Sequence, residues 1–208
     1  MIEDELTIRG GLSPETWGAE DSIAPSRIVV SDSLGAEPML EMGEVSCTLR
    51  ALVLERSGRD TGGMLRTDGT DLTLDSVQLS SGSGGSQPLI HARSGALRLH
   101  GVSVEGGVEG EALVHIEDAE TVEIKDSVFL GRGADRAATV LSVTRVADFS
   151  IVDSSIRGGR SRNCIGLELT ESSATLNRVR LTTGAARAQA IGLSLFDTPA
   201  RLVETHIE

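Results

Sequence analysis

Aromatic residues are nearly missing from this 208-residue chain, which has no Tyr, one Trp (Trp17) and three Phe (Phe129, Phe149 and Phe196). A core built on aromatic anchors is therefore excluded, and Leu, Val, Ile and Ala must fill the interior. Lysine is as scarce, Lys125 being the single one among 19 basic residues. The net charge of −12 lacks the basic footprint that phosphate contacts need, so no nucleic-acid partner is expected. Two cysteines, Cys47 and Cys164, cannot make a disulfide framework. No window approaches the length of an apolar membrane span, so no membrane insertion is expected. The acidic start Met1-Ile2-Glu3-Asp4-Glu5 has no signal-peptide core. Location is read accordingly as cytoplasmic for a native chain, and as cell-envelope or extracellular for a domain excised from a larger one.

What is present is glycine, 24 residues against 5 prolines, which suits short strands joined by many turns. An apolar-x-apolar triplet recurs seven times: Leu40-Glu41-Met42, Leu65-Arg66-Thr67, Ile90-His91-Ala92, Val114-His115-Ile116, Leu141-Ser142-Val143, Leu167-Glu168-Leu169 and Leu193-Ser194-Leu195. Successive triplets start 25, 25, 24, 27, 26 and 26 residues apart. Each is followed by a second triplet, from Cys47-Thr48-Leu49 and Leu72-Thr73-Leu74 to Ala174-Thr175-Leu176 and Ala200-Arg201-Leu202. A third strand follows two or three residues later, as at Leu52/Leu54, Val77/Leu79 and Val179/Leu181, with a less regular one near Ile156. Alternation sends every second side chain inward. A lone coil has too few aliphatic side chains to offset the ordering of its backbone, so the coils must stack on one another. A leucine-rich repeat would need an Asn column and fewer strands per repeat.

The expected fold is all-β: a single-stranded right-handed parallel β-helix of about seven coils of 24–27 residues, three short strands per coil. The segments "LTLDSVQL", "LRLHGVSV" and "ATLNRVRL", with the strands "IGLELT" and "IGLSLF", resemble the pectin-lyase-like superfamily over residues 39–208. That resemblance implies a β-helix whose outer groove holds a polysaccharide. The enzymes' motifs do not accompany it. The polygalacturonase-like N-T-D, D-D, G-H-G and R-I-K, the pectate-lyase-like W-x-D-H and the methylesterase-like G-x-x-D-F are absent, and no catalytic residue is assigned. The aliphatic, Arg-over-Lys stretches also resemble modules joined to large bacterial multidomain proteins.

Residues 1–38 read as an irregular first coil with an insertion or cap. Leu6-Thr7-Ile8 looks like a strand, and Ser13-Pro14-Glu15-Thr16 like a helix start with Ser at the N-cap and Pro at the first helical position. Residues 39–208 are the coils. They stop within a coil at Glu204-Thr205-His206-Ile207-Glu208, which suggests that neighbouring domains or further coils follow at this end.

Registering the coils turns the sequence into surface columns. On the first strand the outward residues are Glu41, Arg66, His91, His115, Ser142, Glu168 and Ser194. Two positions on they are Gly43, Asp68, Arg93, Glu117, Thr144, Thr170 and Phe196. The most polar patch, His91 above His115 with Arg66, Arg93 and Glu117, is the candidate ligand site. Two stacked imidazoles can share a metal, but zinc wants a third protein ligand; none is read from the pattern, so no metal and no cofactor is assigned. A column at the tight turn after the second strand reads Arg50, Asp75, His100, Asp126, Asp153, Asn177 and Glu204. Turn formation is its expected role, although Asp126 above Asp153 offers hard oxygens to Ca²⁺.

Charge is uneven: residues 1–127 hold 23 acidic and 9 basic side chains, residues 128–208 hold 8 and 10. Arg132, Arg136, Arg157, Arg160, Arg162 and Arg187 fall in successive closing loops and should line one edge suited to carboxylate or phosphate polymers. Cys47 and Cys164 lie more than four coils apart, too far for a disulfide; Cys47 is expected in a core column and Cys164 at a reachable loop end. The function expected from all this is a non-enzymatic scaffold or interaction module of a larger bacterial protein, with an anionic polysaccharide or a protein as partner. The alternative is a polysaccharide-binding or polysaccharide-active, lyase- or hydrolase-like β-helix using the His91/His115 outer face.

Overall fold

The computed structural model describes residues 5–9, 26–30, 37–43, 46–56, 63–82, 85, 87–107, 112–132 and 137–208. Its strands form three parallel sheets stacked as a β-solenoid. The first sheet has seven strands in chain order, from Leu40–Gly43 to Ala186–Phe196, and so makes six turns. The second runs from Glu5–Arg9 to Ala200–Val203 and the third from Ser26–Val30 to His206–Ile207, each with eight strands. The chain visits the sheets in rotation, one strand in each per coil. The three-strand coil read from the triplets is the coil that forms. Among the described residues no helix is long and apolar enough to cross a membrane.

The interior follows from strand alternation. Leu49, Leu74, Leu99, Ile124, Ile151 and Leu176 stack in the second sheet, all fully buried. Leu65, Ile90, Val114, Leu141 and Leu167 do the same in the first. The two buried phenylalanines take different columns. Phe149 lies between Val122 and Ala174, and Phe129 between Val104 and Ile156. The aliphatic core thus accepts one large ring per column beside a smaller residue, which keeps the coil cross-section even.

From residue 46 on, each passage from the second sheet to the third turns on a single left-handed residue. These residues are Ala51, Ser76, Gly101, Asp126, Asp153, Arg178 and Glu204, with φ between 48° and 61°. The expected turn column is corrected by this. Arg50, Asp75, His100 and Asn177 end their strands, in register with Lys125 and Val152, whereas Asp126, Asp153 and Glu204 occupy the bend one residue later. One left-handed residue is enough to redirect the chain there, so strand ends and bends form two adjacent columns rather than one. Asp153 is held by Arg178 of the next coil at 2.5 and 2.6 Å, and this hydrogen bonding holds its carboxyl below the usual carboxylate range.

Leu6-Thr7-Ile8 does form a strand: Glu5–Arg9 pairs with Ser46–Arg50, placing Leu6 beside Cys47. The helix start at Ser13-Pro14-Glu15-Thr16 lies outside the described residues. Both cysteines are free. Cys47 is a core residue and its burial pushes the thiol up. Cys164 corrects the expectation of a reachable loop end. It lies inside strand Ser161–Thr170, fully buried, between Ala138 and Ala190 of the adjacent coils. The first-sheet strands lengthen to 8, 10 and 11 residues in the last coils, so the strand begins well before its apolar triplet.

Candidate functional site

The outer face of the first sheet carries the predicted columns in register. Glu41 pairs with Arg66, Arg66 with His91, His91 with His115, His115 with Ser142 and Ser142 with Glu168. The second column pairs Gly43, Asp68, Arg93, Glu117, Thr144 and Thr170 in the same way. All five residues of the candidate patch therefore meet on neighbouring coils. Between them the surface sinks into a depression of about 590 Å³, lined by residues of five successive coils that include Arg66, His91, His115, Glu117, Ser142 and Glu168.

Local geometry draws three of the patch residues together. His115 and Glu117 are two apart on strand Ala112–Glu117 and so share its outer face. His91, on strand Ile90–Arg93, is the direct neighbour of His115 and the diagonal neighbour of Glu117. The imidazoles meet edge to face, centroids 5.2 Å apart and planes at 64°. His91 Nε2 lies 3.3 Å from Glu117 Oε1. One donor atom from each of His91, His115 and Glu117 lies within 4.8 Å of the other two, and all three residues are half-buried.

The carboxylate of Glu117 is steered from the next coil. Arg145, the left-handed bend residue after strand Ala137–Thr144, donates from Nη2 to Glu117 Oε2 at 3.5 Å and grips both oxygens of Asp118 at 2.6 and 3.1 Å. That grip holds the Asp118 carboxyl below its usual range. Arg93 Nε stands 4.0 Å from Glu117 Oε1 and 3.9 Å from Asp118 Oδ2. Arg66 faces Glu41 at 3.8 Å with both side chains largely exposed, a pairing worth little in water. The third metal-type donor that the strand pattern had not supplied is thus Glu117, and the residue missed altogether is Arg145. The signal for the first was available, since long side chains on paired strands also reach the diagonal neighbour.

The arginine edge is only partly a set of equivalents. Arg132 is taken up by Glu105 at 3.0 Å, and Arg136 lies outside the described residues. Arg157 ends a third-sheet strand, Arg160 lies in the closing turn, and Arg162 and Arg187 lie near the starts of the adjacent strands Ser161–Thr170 and Ala186–Phe196. All four are exposed, and among the described residues none has an ion-pair partner. The corner that carries them is tight. A Cβ at Gly159 would stand 2.2 Å from the Arg132 carbonyl oxygen, and one at Gly184 would stand 1.8 Å from that of Gly159.

Fold and face together define a three-sheeted parallel β-solenoid with a polar groove on one sheet and a cationic corner beside it. Comparison of the chain with protein-family models, with curated proteins and with solved structures finds no match.

Proposed function

We propose that this chain is a non-enzymatic β-helix interaction module of a larger bacterial protein, pectin-lyase-like in architecture, which engages a polyanionic partner along the arginine-lined corner of its C-terminal coils. The contrast among its arginines carries the reading. Arg132, Arg145 and Arg178 are each committed to a carboxylate of a neighbouring coil, whereas Arg157, Arg160, Arg162 and Arg187 are exposed without such a partner among the described residues. A guanidinium offers paired donors matched to a carboxylate or sulfate. Arg157, Arg160 and Arg162 share one closing corner and Arg187 lies in the next, one coil spacing of about 4.8 Å further along a rigid support. The acidic residues 1–127 repel the same partner and so confine it to the other half.

Affinity chromatography on polygalacturonate and heparin tests this. Retention that falls as salt rises, and that is lost when Arg157, Arg160, Arg162 and Arg187 are all replaced by Ala, supports it; no retention of the wild type at low salt removes it. A second reading, an oligosaccharide lying in the His91/His115 groove, is favoured by the depression that spans five coils there. In that case the double variant His91→Ala/His115→Ala loses binding while the arginine variant keeps it. Unsaturated products absorbing in the ultraviolet after incubation with polyuronates would mark lyase activity.

A further inference from the structure

We propose that His91, His115 and Glu117 form a binding site for one divalent transition-metal ion of the zinc type, with an open coordination position facing the groove. The site is independent of the arginine corner and rests on three observations.

The first is donor spacing. Tetrahedral zinc with bonds of about 2.0–2.1 Å sets its ligand atoms roughly 3.3–3.4 Å apart. The His91 Nε2 to Glu117 Oε1 separation is already 3.3 Å. The widest spacing in the trio is within 4.8 Å, so closure needs a contraction of at most about 1.5 Å, within reach of side-chain torsions on a fixed backbone. The strands themselves need not move, because register and alternation already put the three on one face.

The second is the arrangement of the rings. Imidazoles stacked face to face would point their nitrogens in parallel. At 64° between planes the two rings can aim at one point, as two ligands of one ion must. Nitrogen donors also select the metal class, since imidazole suits Zn²⁺, Cu²⁺ and Ni²⁺, while Ca²⁺ and Mg²⁺ prefer all-oxygen sites.

The third is the support around the carboxylate. Arg145 binds Glu117 through Oε2 and leaves Oε1 toward His91. An outer hydrogen bond that orients a ligating carboxylate is the usual second layer of a metal site. Asp118, gripped by the same arginine, offsets part of the local positive charge. With three protein ligands in a half-buried groove, the fourth position is left for water or for an acidic group of a bound molecule, with Arg66 lining the same groove and Arg93 beside Glu117.

Tag-free protein should be titrated calorimetrically with zinc chloride, and with cobalt chloride followed by visible absorption. The expected result is one equivalent bound, with the intense ligand-field bands of four- or five-coordinate Co²⁺. His91→Ala, His115→Ala and Glu117→Gln should each weaken binding by about 10–100-fold or more, at least the loss expected for an outer-layer partner. His100→Ala, on a different sheet, should bind as the wild type does. The three ligand side chains project from the solvated face, and circular dichroism checks that the variants fold. Wild-type protein gives a test free of mutation: Zn²⁺ should shift the imidazole NMR signals of two of the four histidines and leave those of His100 and His206 in place. No zinc binding by the wild type, undiminished binding in His91→Ala, shifts at His100 or His206 instead, or equal binding of Ca²⁺ would each overturn the proposal.

Discussion

Replacing Gly159 by Ala should be among the most damaging single-methyl additions this chain can receive. No positive φ is involved, so the cost is purely one of space. The new Cβ would stand 2.2 Å from the carbonyl oxygen of Arg132, 2.5 Å from its carbon and 2.6 Å from the oxygen of Gly131, where ordinary contact begins at 3.4 Å. All three are backbone atoms of the preceding coil, and no side chain can rotate aside to make room. The coils must therefore part by about 1 Å at this corner, an overpacking whose cost is typically about 1–3 kcal/mol and sometimes more. The parting also strains ladder hydrogen bonds worth about 0.5–1.5 kcal/mol each. A loss of about 3 kcal/mol is expected. Gly43→Ala is the control, because the nearest atom to its Cβ would be 3.9 Å away; there the restricted unfolded chain should leave stability unchanged or raise it by about 0.4–1 kcal/mol. Urea denaturation followed by far-ultraviolet circular dichroism measures both. Equal midpoints for the two variants would refute the close approach of coils at this corner. The functional corollary is that Gly159→Ala should also weaken polyanion retention, since the displaced corner carries Arg157, Arg160 and Arg162.

Two further outcomes follow from the charge and thiol chemistry. The hydrogen bond and charge of Arg178 hold Asp153 below its ordinary value. At Asp75 partial burial works upward, but the hydrogen bonds from Arg50 and Ser76 outweigh it and again lower the carboxyl. A depressed folded pKa contributes stability that is complete above the unfolded value of about 3.9 and fades as pH falls through the folded one. The wild type should therefore lose stability more steeply than Arg178→Ala below about pH 4, and the two should converge in strong acid; parallel pH profiles from thermal melts would contradict this. Both Cys47 and Cys164 are buried and free. A thiol reagent such as dithionitrobenzoate should titrate neither in the folded protein and both in denaturant, and fast modification of Cys164 in the native state would place it outside the core.

The solenoid was legible because each coil repeats the same inward pattern, and the triplets at Leu65, Ile90, Val114, Leu141 and Leu167 stack as their spacing implied. Sequence pattern and structure part where the chain departs from short strands or from strand geometry altogether. Ser161-Arg162-Asn163 carries no apolar alternation, yet it continues a strand because the neighbouring coil offers it Ala186 and Gln189 as partners. Cys164 therefore lies within a strand rather than at a loop end. The strand-end and bend columns cannot be told apart by residue type, because an Asp at a strand end and an Asp in a left-handed bend look the same in sequence. Only the backbone separates Asp75 from Asp153, since the bend residue beside Asp75 is Ser76.

The candidate site shows a different limit. Its face was legible, since alternation assigns His91, His115, Arg93 and Glu117 to one surface without knowledge of any side-chain position. Its chemistry was not. Glu117 reaches diagonally to His91 through Oε1 and meets through Oε2 the guanidinium of Arg145, which lies 28 residues further on in a bend rather than a strand. A residue that touches the donor set thus belongs to neither column, and no periodicity marks it. Because inward positions are repeated and outward ones are free to vary, the repeat that reveals the fold carries almost no information about such a residue. In this β-solenoid the bends between sheets, where Arg145 and Arg178 each grip a bend aspartate of the preceding coil, thus carry outward contacts that the strand columns do not reveal.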